Sequence, residues 1–536
     1  MRLARNLLTT LLQYAHRYLG IPLSFMFVVW FLSAFFMIYT GGMPRITPEQ
    51  RSDGMQPIDF DAVQLSLAEA VARAGYGAGF APAAASMRSI LDRPVYVLGE
   101  AGYNPDFVAA DNGELLDELS QDEGAQIAGA FLDIPPEQFR YLETLNEPDQ
   151  WTLTSLRELP LYRYAVDDDL GTEVYVSPRE MQVSVYTTRQ SRVLAWLGTI
   201  PHWLYFSGLR NNQPLWYDIL VGAAYAGCAL ALLGLGLALL KWRRVRPFSL
   251  ARAVPYRGLH RWHYITGGVF GLFSLTWVFS GLVSMEPWEW TNADGLRLPP
   301  AVLQDELQPG RFPLPSQVDW SAVPVSGIKQ VEFRMIMGGP HAVATYSVPA
   351  DGASSKRDRL HQPYNINGQS AAASVVLDLV AGLPVNGFDA EVLTRRLALA
   401  VPGHAITETA LLGAYDDYYY SRQGQLPLPV LRAKFDDPAR SWVYVDPLRG
   451  ELLSIIHKYS RVERWLYNGL HSLDFAFWYH QRPLWDLVMI ALLCGGLATS
   501  VLGLWLGLRR LGNDVARLLQ KTRTRLPKEN APHATP

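Results

Sequence analysis

Eleven histidines and two cysteines are the side chains of this sequence best suited to metal chemistry, and where they fall decides which chemistry is open. Cys228 and Cys494 both lie inside long apolar stretches. That placement excludes iron–sulfur clusters, Cys-rich zinc sites and haem attached through Cys-x-x-Cys-His. Five histidines fall at the ends of such stretches: His16, His260 and His263 toward one side, His202 and His471 toward the other. Neutral imidazole is the commonest side-chain metal ligand, and an ionisable group near the membrane carries a functional expectation with a partner to be named. Haem iron accepts an axial His from each of two facing helices. The expectation is therefore a pair of imidazoles near each face, His202 with His471 and His16 with His260 or His263.

The alternative is that each His is an ordinary interfacial residue beside Arg and Trp. His260 and His263 are three apart and share a helix face, so spacing does not choose between them. The shared context of His16-Arg17-Tyr18 and His260-Arg261-Trp262 favours His260. His341, His361, His404, His457 and His480 lack counterparts and are expected at the surface or on a substrate side. No phosphate-binding loop, dinucleotide fingerprint or His-Glu-x-x-His is present.

The elements that hold these residues are membrane spans. Of 536 residues 49% are hydrophobic and only 18% charged, and four stretches reach the roughly 20 apolar residues needed to cross ~30 Å of hydrocarbon. They are 19–40, 215–240, 262–284 and 484–508. The first is too long for a secretion-signal core and lacks a good cleavage site, so it is read as a retained anchor. Residues 1–18, 241–261 and 509–536 together carry 17 basic and 2 acidic residues. The rest then holds 30 basic and 48 acidic ones, from totals of 47 and 50. By the orientation rule for Lys and Arg, both termini and the short loop are cytoplasmic. The segments 41–214 and 285–483 are external. No nucleic-acid partner is expected, and the basic pieces suit a bilayer surface or an acidic redox partner.

A shift of 269 residues aligns 159–241 with 428–510 without a gap, with 20 identities in the first 60 positions. Leu159-Pro160 meets Leu428-Pro429, Val174-Tyr175-Val176 meets Val443-Tyr444-Val445, and His202 falls on His471. Upstream, Thr40-Gly41 resembles Ser280-Gly281 at an offset of 240, which gives the second external segment an excess of 29 residues (269 minus 240). Two copies of span, external domain and span follow, related by an axis along the membrane normal. Residues 65–74 read as an amphipathic helix, and Val174 to Val176 and Trp442 to Val445 as strands entering turns. Asp167-Asp168 and Asp436-Asp437 read as repeated turns, Tyr415 to Tyr420 as an aromatic sheet face, and 193–206 and 462–477 as interfacial helices.

The order of these motifs resembles the PepSY-associated transmembrane helix family. The features are the His-Arg-aromatic entry into a span ending in Thr/Ser-Gly, Val-Tyr-Val-Asp-Pro-x-x-Gly-Glu at 443–451, Tyr-Tyr-Tyr at 418–420 before Leu-Pro-Val-Leu-Arg at 428–432, and His471 before the last span. That resemblance implies four transmembrane helices with two α+β PepSY-like periplasmic domains in a bacterial inner membrane. It also implies an oxidoreductase of the siderophore-iron reductase type. Such a protein holds haem b, in two copies here, through His16, His260, His202 and His471. It passes electrons from a cytoplasmic or membrane donor to a periplasmic ferric siderophore or other ferric chelate. The first copy departs from the pattern with Ser177-Pro178 in place of Asp446-Pro447, and no flavin or nicotinamide domain is fused. The rival expectations are a cofactor-free binding or regulatory protein acting on a periplasmic protease or transporter, and a permease. The second is disfavoured by the lack of intramembrane charge pairs and broken helices.

Overall fold

The computed structural model describes residues 2–40, 42–77, 81–99, 104–243, 249–291, 295–323, 327–347, 372–421 and 426–525. Four helices, Arg2–Met37, Gln213–Lys241, Gly258–Ser284 and Leu484–Arg525, are long and apolar enough to cross a membrane. Leu, Ala, Phe and Gly dominate all round them, the composition of a helix whose solvent on every side is apolar. The first begins and the fourth ends well beyond the apolar stretches, so each projects past the bilayer on the side opposite the sheets. Each long helix packs on two others in a closed ring, first on fourth, fourth on third, third on second and second on first. Leu23, Phe27, Phe31, Leu230, Trp277, Val278, Trp485 and Met489 fill the centre.

Both large segments leave the bundle on one side. Strands β1 (Ala85–Ile90), β2 (Arg93–Leu98) and β3 (Asp106–Ala109) come from the first segment, followed by β4 (Phe139–Leu145), β5 (Leu161–Val166), β6 (Glu173–Ser177) and β7 (Gln182–Thr187). The second supplies β8 (Gln304–Asp305), β9 (Ile328–Ile336), β10 (Gly339–Ser347), β11 (Ala372–Asp378) and β12 (Leu383–Pro384). After these come β13 (Ile406–Leu412), β14 (Val430–Phe435), β15 (Trp442–Asp446) and β16 (Glu451–Ile456). Strands β4 to β7 form one four-stranded antiparallel sheet and β13 to β16 another. The duplication is thus visible as two equal meanders.

The remaining strands break the expectation of two self-contained domains. Strand β1 pairs antiparallel with β9, Met87 opposite Val331, joining both segments in one eight-stranded sheet. Its packed face buries Met87, Tyr96, Leu98, Val331, Phe333 and Met335 in a core shared by the two segments. Burying side chains of that size stabilises by about 1.5–3 kcal/mol each, so the segments fold against one another.

Local expectations hold in several places. The helix at 65–74 is Leu67–Arg73, with Ser66 and Glu69 forming a capping box at its start. Val174 to Val176 and Trp442 to Val445 lie in β6 and β15. Asp168 accepts from the Thr172 amide and Asp437 from the Ser441 amide, so both Asp pairs do make turns.

Candidate functional site

Four of the five singled-out histidines meet in two pairs. His202 stands in a short helix, Thr199–Trp203, and His471 in the matching turn Leu470–Ser472, both between a sheet and the helix that returns through the bundle. Each His-bearing turn ends in a leucine with left-handed backbone, Leu204 at φ 51° and Leu473 at φ 50°. A non-glycine residue holds that conformation only when its surroundings impose it. Repeat-equivalent residues doing so on both sides mark the turn as imposed by the site.

The two imidazole centres lie 6.2 Å apart. His202 Nδ1 is 3.0 Å from Ser33 Oγ on the first long helix, and His471 Nδ1 is 2.9 Å from Ser280 Oγ on the third. Each serine donates its own proton to a carbonyl three residues back, Ser33 to Trp30 and Ser280 to Trp277. Each hydroxyl must therefore accept from the imidazole, so Nδ1 carries the proton and Nε2 keeps its lone pair.

The opposite end of the bundle repeats the arrangement with different partners. His16 and His263 have ring centres 6.3 Å apart. Their Nδ1 atoms lie 3.2 Å from the Leu230 carbonyl and 3.1 Å from the Thr499 carbonyl. A carbonyl only accepts, so these rings also carry the proton on Nδ1. Leu230 and Thr499 are themselves 269 apart and hence repeat equivalents. Two glycines at the same offset make room: a Cβ on Gly234 would stand 2.9 Å from His16 Cε1, and one on Gly503 3.1 Å from His263 Cε1. Seventeen residues separate His16 from Ser33 and His263 from Ser280, about 25 Å of helix at 1.5 Å per residue. Phe27, Trp30, Phe31 and Trp277 form an edge-packed aromatic cluster in that interval.

His260 is the correction. It lies exposed on the third long helix, with no contact to His16, while His263 one turn later takes the place expected of it. The offset between first and third helices is accordingly 247, which superposes His16 on His263, Trp30 on Trp277 and Ser33 on Ser280. The excess of the second segment falls to 22 residues, from 269 minus 247. Of the unpaired histidines, His480 is exposed, whereas His341 is buried at 5% exposure with Nδ1 2.9 Å from the Gly339 carbonyl, against the surface expectation. His457 is half-buried with Nδ1 2.9 Å from Ser441 Oγ, His404 stands 3.7 Å from Asp436, and His361 lies outside the described residues. Sequence reasoning missed Ser33 and Ser280, although their equal distance from His16 and His263 is readable.

Among the described residues no three His, Cys, Asp or Glu side chains converge as a metal-binding group. What converges is pairs, which suits a metal whose other ligands come with it. No protein-family model matches the chain, and no curated protein matches it.

Proposed function

We propose that the chain is a membrane haem protein that carries electrons across the bilayer and delivers them to a ferric chelate on the side of the sheets. The observation that carries this reading is the geometry of the two histidine pairs. An iron with two trans imidazoles at ~2 Å, and about 1.2 Å more from nitrogen to ring centre on each side, separates the ring centres by about 6.4 Å. The pairs stand at 6.3 and 6.2 Å. All four rings have Nδ1 engaged, the orientation in which a second partner presents Nε2 to a metal and raises its basicity.

On this reading His16 and His263 would hold one haem b, and His202 and His471 the other. When bound, each haem supplies a one-electron couple without needing an acid or base from the protein. The protein's own work is orientation and exclusion. Ser33, Ser280 and the Leu230 and Thr499 carbonyls fix the four rings, Gly234 and Gly503 leave them space, and the aromatic cluster keeps water from the interval between the pairs. The basic loop and tail favour placing the sheets in the periplasm of a bacterial inner membrane, with the donor a cytoplasmic protein or a membrane-soluble carrier. Iron(III) held by hard oxygen donors is released on reduction because iron(II) binds them less well, which gives an iron-acquiring cell a use for the step.

The test is the absorption spectrum of the purified protein from haem-replete cells, oxidised and then reduced with dithionite. A Soret band with a b-type α band on reduction is expected. A colourless preparation would overturn the reading.

A further inference from the structure

The two copies differ most where each approaches the sheet-side histidine. In the second copy the chain entering His471 is an α-helix, Lys458–Arg464, that continues as one π-helical turn, Trp465–Gly469. Such turns are rare and recur at functional sites. Beside it lies a cleft of about 230 Å³ lined by Tyr418, Tyr420, Ser460, Glu463, Arg464 and Asn468, with Tyr467 at its inner end. Arg464 is 8% exposed. Its Nε donates to the Asp417 carbonyl and its Nη2 to the Asp474 carbonyl, while Nη1 has no hydrogen-bond partner among the described residues. The guanidinium stands 4.3 Å above the Tyr420 ring. A buried guanidinium nitrogen left unpaired is costly, and one lining a cleft is satisfied by whatever oxygen enters. Tyr467 closes the path to the bundle, its ring centre 5.4 Å from that of His471. In the first copy the matching positions are Leu194, Ala195, Gly198 and Thr199 in place of Glu463, Arg464, Tyr467 and Asn468. None of the equipment is there.

We propose that this cleft is the docking site for the electron acceptor, and that it takes one planar, oxygen-anionic arm of a metal chelate, a hydroxamate or a catecholate. Arg464 Nη1 donates to the arm's oxygen, and Tyr418 and Tyr420 offer ring surface to its plane. The volume is below the ~300 Å³ at which pockets for whole drug-sized ligands begin, so one arm enters and the rest of the chelate stays outside. The naming of the acceptor site rests on the electron-transfer reading above; the binding of the chelate does not.

Gallium(III) complexes of a trihydroxamate and of a tricatecholate, which are not readily reduced, test binding directly by titration of the full-length protein. One of them should bind, and its identity names the donor class. Arg464→Gln should weaken that binding at least tenfold. Ser460→Trp, which fills the cleft without touching the Arg464 network, should abolish it, and His202→Ala should leave it unchanged. Rapid mixing of the reduced protein with the iron(III) form of the chelate should show α-band loss slowed at least tenfold by Ser460→Trp, while oxidation by ferricyanide proceeds as in wild type. Failure of both gallium complexes to bind, or binding and oxidation indifferent to Ser460→Trp and Arg464→Gln, overturns the cleft and leaves a pigmented protein as an electron carrier. A colourless protein that still binds gallium chelate through Arg464 overturns the electron-transfer reading and keeps the cleft.

Discussion

The two halves of the molecule keep one thing identical and let another diverge. Serine to imidazole, carbonyl to imidazole and glycine beside imidazole are conserved between halves to within about 0.2 Å, because a ligand held between two helices related by a pseudo-twofold axis demands the same support from each. The approach to the sheet-side histidine is under no such demand. There one half keeps Ala195 in an apolar cluster with Leu161, Tyr175 and Ile200, and the other buries Arg464 among tyrosines. A duplicated scaffold thus separates what both halves must do from what one half suffices to do.

The largest expected effect attacks the shared part. Alanine at His202 or His471 should remove about half of the bound haem, measured as haem per protein with the reduced spectrum. Alanine at His16 or His263 should remove the other half, and His260→Ala should remove none. Loss on His260→Ala with retention on His263→Ala would reverse the assignment of the loop-side pair.

Next in size is an exchange between the halves. Asp474 is 2% exposed, with a carboxylate oxygen 3.7 Å from Arg464 Nη2. Arg464→Ala strands that carboxylate, and Ala195→Arg, at a position 2% exposed, forces a cation into an apolar cluster. Removing one partner of a buried charge pair costs about 3–5 kcal/mol, and both variants should lower the thermal midpoint in detergent accordingly. Equal midpoints for Ala195→Arg and wild type would mean the first half already tolerates what distinguishes the second.

The glycines sharpen the symmetry. Gly234→Ala and Gly503→Ala push a methyl against His16 and His263, and outer support of a ligand is worth about 10–100-fold in affinity. Each should weaken haem retention at the loop-side pair by that factor and spare the other pair. Gly236→Ala, with open space around it, should do neither. Retention is read by competition with apomyoglobin.

The spans, the meanders and the sheet-side pair were legible because each rests on local pattern or on the gap-free 269-residue repeat. The loop-side pair was half legible. A short motif, His-Arg-aromatic, pointed to His260, but helix phase decides which residue faces the bundle, and only offset 247 places histidine, tryptophan and serine of both helices in one phase. The pairing of β1 with β9 joins residues some 240 apart, and no periodicity encodes a partner at that range. The cleft was illegible for the opposite reason: it exists in one copy, so repetition could not point to it. The tyrosine run was read as sheet face, and Tyr415 and Tyr419 do stack there with Tyr444, while Tyr418 and Tyr420 turn to the cleft.

The smallest effect concerns Glu463, which faces Glu286 across the approach to the cleft and has Leu194 as its counterpart. Burial first, and the Glu286 charge second, hold its carboxyl above the usual carboxylate range. The folded chain therefore keeps this proton more tightly than the unfolded one, and the sign follows: stability from this group is fullest below the ordinary carboxyl range and declines as pH rises toward the raised value. Glu463→Gln, which cannot ionise, should melt with wild type near pH 4 and above it at pH 7. The same gap at both pH values would show that the gain came from lost packing strain and not from a charge held beside Glu286. The first half, with leucine at this place, should show no counterpart: Leu194→Gln should shift the midpoint equally at both.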